Sequence, residues 1–122
     1  MNATVRNVGL AATILSFSAI FLAAMGAHLV KMDSLADVWR TASSVHMFNA
    51  AALIGLAALL AYRESTFLKW AAWFIVMGTV VFCGSIYLHV LSGYKVSGVT
   101  PAGGIFLMSG WVLAVMAFLR KS

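Results

Sequence analysis

Apolar residues run along this chain in four long stretches, Val8–Val30, Val45–Tyr62, Phe67–Leu91 and Ala102–Leu119, and the polar residues gather between them. A helix needs about 20 apolar residues to cross a bilayer core, and each stretch meets or approaches that length. The stretches are continuous, unlike the alternating segments of about ten residues that build a membrane β-barrel. They predict an all-α integral membrane protein: one domain over residues 1–122, folded as an antiparallel up-and-down four-helix bundle. Ala24-Met25-Gly26 resembles a signal-peptide cleavage site. The first stretch, however, exceeds the roughly 7–15 apolar residues of a signal-peptide core, so it reads as a retained helix.

The connections refine this picture. In the longest, Lys31–Ser44, the run Ser34-Leu35-Ala36-Asp37 fits a capping box. Met32, Leu35, Ala36 and Trp39 then share one helical face. This predicts a short helix lying at the outer membrane interface, with Trp39 at headgroup depth. Arg63-Glu64-Ser65-Thr66 is short enough to make helices two and three a tight hairpin. The third connection, Ser92–Thr100, contains Gly93 and Gly98 and ends at Pro101, which suits the first turn of helix four. Each span also carries small residues seven apart: Ala12, Ala19 and Gly26; Ala50 and Ala57; Ala71, Gly78, Ser85 and Ser92; Gly103, Gly110 and Ala117. Lipid supplies no hydrophobic drive between helices, so small residues that permit close approach mark the expected contact faces.

Composition narrows the function. The 122 residues are 63% hydrophobic and 9% charged, with a mean hydropathy of +1.00. That leaves no room for a soluble catalytic domain, and no catalytic motif stands out, so the expectation is a protein that is not an enzyme and holds no cofactor. The net charge of +5 forms no basic cluster and predicts no nucleic-acid partner. Arg6, Arg63, Lys69, Arg120 and Lys121 fall on one side with Glu64, whereas Lys31, Arg40 and Lys95 fall on the other with Asp33 and Asp37. The excess of Lys and Arg on the first side predicts cytoplasmic N- and C-termini. Cys83 is the single cysteine, so no intramolecular disulfide forms, and the seven methionines are scattered as packing residues.

Few polar side chains lie within the spans. His28 ends helix one, His46 begins helix two and His89 nears the end of helix three, so all three are expected near the outer face. Imidazole binds zinc, copper, iron and nickel, which makes these histidines a candidate metal site, with Asp33 and Asp37 as added oxygen ligands. No pair has the i, i+4 spacing of a helical zinc motif. Capping and inter-helix hydrogen bonding are the plainer roles. Asn49, Ser85 and Tyr87 are candidates for an inter-helix polar network or a polar ligand site, because a polar atom in lipid needs a partner. No acidic residue lies inside a span, which argues against proton-coupled transport.

Several segments resemble the YgdD-like small inner-membrane protein family, known as domain of unknown function 423. The most specific is Val99-Thr100-Pro101-Ala102-Gly103-Gly104 followed by Gly110-Trp111. Phe82-Cys83-Gly84-Ser85-Ile86-Tyr87 resembles the family's Phe-Ser-Gly-Ser-x-Tyr, and Gly26-Ala27-His28 its Gly-Ala-His. The signature residues are thus Gly26, His28, Gly84, Ser85, Tyr87, Thr100, Pro101, Gly103, Gly104, Gly110 and Trp111. The family usually has histidine where this chain has Asn49. It also usually has an apolar residue where this chain has His89. His46 matches a histidine found in some eukaryotic relatives. The resemblance implies a small four-helix protein of the bacterial inner membrane and brings no substrate or reaction.

Three functions remain. The first is a non-enzymatic protein that self-associates as a homo-oligomer or serves as an accessory subunit among other integral membrane proteins. The alternatives are a small-molecule carrier or channel formed by an oligomer, and a metal-binding redox protein using His28, His46 and His89.

Overall fold

The computed structural model describes residues 2–30, 33–93 and 98–120. Lys31, Met32, Lys95 and Lys121, which entered the charge and loop readings, lie outside the described residues. Four α-helices account for nearly all the rest: α1 (Ala3–Leu29), α2 (Asp33–Tyr62), α3 (Thr66–Ser92) and α4 (Val99–Leu119). Each is long and apolar enough to cross a membrane. A helix satisfies its own backbone hydrogen bonds, which is what a segment surrounded by lipid requires.

The helix ends follow local chemistry. Asn2 caps α1 by accepting from Val5 N at 2.9 Å. Helix one therefore starts before its apolar stretch, because Thr4, Arg6 and Asn7 are polar without breaking a helix. Ser65 caps α3 by accepting from Leu68 N. Gly93 ends α3 at φ +73°, a left-handed conformation that suits glycine, and its N–H closes onto His89 O at 2.8 Å. Helix four starts at Val99, so Pro101 lies inside its first turn, where a missing N–H leaves no hydrogen bond unmade.

The first connection departs from expectation. No separate interfacial helix forms; α2 runs unbroken for 30 residues from Asp33. Neither proline nor glycine interrupts residues 33–45, and Trp39 is turned in against α1 instead of lying on a separate interfacial helix. It is 3% exposed, lies on Gly26 of α1, and donates from Nε1 to Leu22 O at 2.7 Å. Ser34 accordingly falls within the helix and does not cap it.

Each helix packs against the next in chain order, and α1 also touches α3. Among the described residues the α4 backbone comes alongside neither α1 nor α2, so the bundle is sheared and α1 and α4 are its outer members. The α3–α4 seam is the tightest. A Cβ at Gly78 would lie 2.6 Å from Leu107 N, one at Gly103 2.5 Å from Phe82 N, and one at Gly110 2.8 Å from Ile75 Cγ1. These contacts share one antiparallel register. Most seven-spaced small residues are buried, including Ala12, Ala19, Ala50, Ala71, Gly103 and Gly110. Ser92 is exposed instead, because it closes the last turn of α3. The outward surface is apolar and faces lipid, as Phe17, Ile105, Val112 and Phe118 show.

Candidate functional site

Two core clusters stack along the bundle. Toward the termini, Val8, Leu53, Leu56, Leu68 and Ile75 make a wholly apolar core. Toward the α1–α2 connection, Trp39, Ala42, Cys83 and Tyr87 make an aromatic one. Polar groups gather around the second.

His46 is at their centre. It is 4% exposed and lies thirteen residues into α2, about 20 Å from Asp33 at 1.5 Å per residue. The inward face of α2, marked by Trp39, His46 and Leu53 at seven-residue intervals, points it into the bundle. Its Nδ1 is 3.0 Å from the Tyr87 hydroxyl of α3, and its Nε2 is 3.3 Å from Ser18 Oγ of α1. Ser18 donates its own hydrogen to Leu15 O at 3.0 Å. The arrangement that satisfies every group has Tyr87 donating to Nδ1, Nε2–H donating to Ser18, and Ser18 donating to the carbonyl. Imidazole is then neutral. The chain of bonds ties three helices together inside the apolar span.

Aromatic and sulfur contacts hold this line in place. The Tyr87 ring is 4.7 Å from that of Trp39, at an interplanar angle of 53°. The Cys83 thiol donates to Ala42 O at 3.3 Å. That spends its hydrogen on a carbonyl and leaves the sulfur enclosed, an inert packing role.

The other sequence candidates separate. Asn49 is 2% exposed, donates to Val45 O at 2.8 Å, and accepts from Trp111 Nε1 of α4 at 2.9 Å. Phe48 adds a ring contact to Trp111 at 6.0 Å. Together they join α2 to α4 by side chains alone. Ser85 bonds Phe82 O at 2.9 Å and the Thr100 hydroxyl, joining α3 to the first turn of α4. Asn49, Ser85 and Tyr87 thus make three distinct inter-helix connections and do not share one ligand site.

The three histidines do not meet. His28 is exposed in the last turn of α1, whereas His89 lies in the last turn of α3 with Nδ1 enclosed and unbonded. His46 is deep because α2 begins twelve residues earlier than its apolar stretch indicates. Among the described residues no group of three or more His, Cys, Asp or Glu side chains is arranged to hold a metal ion. The neighbourhood of His46 therefore offers a proton-accepting imidazole, a phenol and hydroxyls, without a carboxylate or a free nucleophile.

Sequence reasoning missed Ser18 and the inward placement of Trp39 and His46. The seven-residue repeat Trp39–His46–Leu53 was the available signal. It needed the helix to be extended back through a polar segment.

A family model described as a protein of unknown function, DUF423, matches residues 22–104. The UPF0382 inner membrane protein YgdD of Escherichia coli (strain K12) is 33% identical over 121 residues, covering 96% of this chain and 92% of the relative. A UPF0382 membrane protein of Staphylococcus aureus (strain bovine RF122 / ET3-1) is 33% identical over 106 residues, covering 84% and 86%. One of Staphylococcus haemolyticus (strain JCSC1435) is 29% identical over 101 residues, covering 80% and 82%. No solved structure matches. With four spanning helices and relatives named as inner membrane proteins, this is an integral protein of the bacterial inner membrane, and the chain belongs to the DUF423 family.

Proposed function

We propose that the protein is non-enzymatic and works by assembling in the bilayer with a second copy of itself through the outward face of α2. One observation carries this reading. Gly55 lies in the interior of a spanning helix, and a Cβ there would meet nothing within 4 Å. Glycine in a helix interior costs about 1 kcal/mol relative to alanine. Gly26, Gly78, Gly103 and Gly110 are instead pressed against a neighbour in the same chain, and among the described residues only Gly84 of α3 is as open within a helix as Gly55.

Gly55 also sits in a regular stripe. Thr41, Ser44, Ala51, Gly55, Ala58 and Tyr62 are all exposed, and with Phe48 they recur at alternating intervals of three and four. That is the spacing of a left-handed helix–helix seam, and its small residues suit close approach in lipid.

The test is dimerisation of labelled protein in lipid nanodiscs and vesicles, followed by resonance energy transfer across a range of protein-to-lipid ratios. Reversible dimers are expected. Gly55→Leu should weaken them at least tenfold while leaving the protomer folded, since a Cβ at this position meets nothing within 4 Å. Monomers at every ratio, or a Gly55→Leu variant that dimerises like the parent, overturn the reading. Stable co-purification of a different membrane subunit on this face would replace self-association with an accessory role.

A further inference from the structure

A cleft of about 140 Å³ opens between the end of α1 and the start of α2, lined by Gly26 and Ala27 on one side and Trp39, Arg40 and Ser43 on the other. At its outer rim Arg40 pairs with Asp37 at 2.8 Å, both side chains largely exposed. Its inner end is Ser43, a side chain 5% exposed whose hydroxyl has no hydrogen-bond partner. Ser43 lies on α2 between Trp39, whose ring is 4.7 Å from that of Tyr87, and His46, whose Nδ1 is 3.0 Å from the Tyr87 hydroxyl. Behind Tyr87 lie His46 Nδ1, then Ser18 and the Leu15 carbonyl. Beyond this line, past Asn49 and Thr79, lies the apolar core of Leu53 and Ile75.

Thr79 is a useful contrast. Its hydroxyl is also enclosed and unpartnered, yet it does not line this cleft. Ser43 is an unsatisfied hydroxyl at the inner end of an opening of about 140 Å³, which has room for several water molecules.

We propose that this cleft is a water-binding site through which the intramembrane imidazole of His46 exchanges protons with the aqueous phase on the α1–α2 side only. A proton passes from cleft water, through Ser43, to the Tyr87 oxygen as Tyr87 releases its own proton to His46 Nδ1. Imidazolium forms with Nε2–H still on Ser18, and the reverse transfer returns the proton to water. The ionisable groups facing this path are Tyr87 and Cys83 from α3, with Arg40 and Asp37 at the mouth on α2. The facing part of α1 contributes Ser18 and Leu15, which do not titrate.

Two measurements test the site. In vesicles of known orientation, Ser43→Cys in a Cys83→Ala background should react with a small charged methanethiosulfonate at least ten times faster than Val112→Cys, a lipid-facing control, and from one side only. In the unaltered protein in nanodiscs, nitrogen-15 spectra of His46 should change with pH while the fold persists, and Tyr87→Phe should slow that proton exchange at least tenfold. Modification no faster than the control, modification from both sides, or a His46 ring that does not exchange in the folded protein would overturn the proposal.

Discussion

The half of the bundle near the termini and the half near the α1–α2 connection solve the same problem differently. The first is filled by shape at its centre, where Leu53 and Ile75 are fully buried among Val8, Leu56 and Leu68, and its hydrogen bonds, Asn2 to Glu64 and Trp111 to Asn49, lie at its edges. The second is held by directed bonds, with Trp39 on Leu22 O, His46 between Ser18 and Tyr87, and Cys83 on Ala42 O. Lipid tails are as apolar as leucine, so an apolar contact between helices gains mainly from close packing. Directed bonds add what packing lacks, namely one register and one rotation for each helix. The apolar half thus supplies a well-filled floor, and the polar half specifies how α1, α2 and α3 align.

The α3–α4 seam crosses both halves, so breaking it should have the largest effect. Gly103→Leu places a side chain against the Phe82 backbone, which cannot yield as a flexible side chain can. Overpacking of this kind costs about 3 kcal/mol. A fall of that order in unfolding free energy, measured by steric trapping in lipid, would place the seam as the main support of α4; a change below a third of it would not.

Leu53→Ala should come next, since it opens a cavity in the apolar floor. The expected loss is about 2 kcal/mol, with the tryptophan and tyrosine spectra of the other half unchanged. Spectral change there would show that the halves are not separable.

His46→Ala should cost about 1–2 kcal/mol, because it strands the Tyr87 hydroxyl and the Ser18 oxygen in an apolar span. A double-mutant cycle with Tyr87→Phe should return a coupling of about 1 kcal/mol. Additive losses would mean that the His46–Tyr87 contact is incidental.

The smallest effect is expected for Trp111→Phe, which removes the Nε1 bond to Asn49 while keeping the ring contact with Phe48. A loss of about 0.6 kcal/mol is typical of one inter-helix hydrogen bond in a membrane. A loss several times larger would show that this bond is the main link between α2 and α4.

Particular residues show how far the chain could be read without its fold. Gly103 and Gly110 announced their contact face by spacing, because close approach of two helices admits few other residues. Asn49, Ser85 and Tyr87 stood out as polar atoms in apolar spans. Their partners did not: Trp111 is 62 positions from Asn49, and His46 is 41 from Tyr87. Trp39 was misplaced because its position near charged residues resembles an interfacial anchor. The glycine at position 26 that receives it lies on another helix.

Hydropathy and helix chemistry were enough to specify four membrane-crossing helices, their approximate limits and the small-residue faces along which they meet. Those properties are local, set by the transfer of each segment into lipid and by its own backbone hydrogen bonds. Tertiary structure alone decided that α2 continues through the polar segment before Val45, that His46 lies deep and His28 and His89 apart from it, and that Ser43 closes a cleft. Each depends on the rotation and register of one helix against another, and these are settled by steric fit and hydrogen bonds between residues distant in the chain.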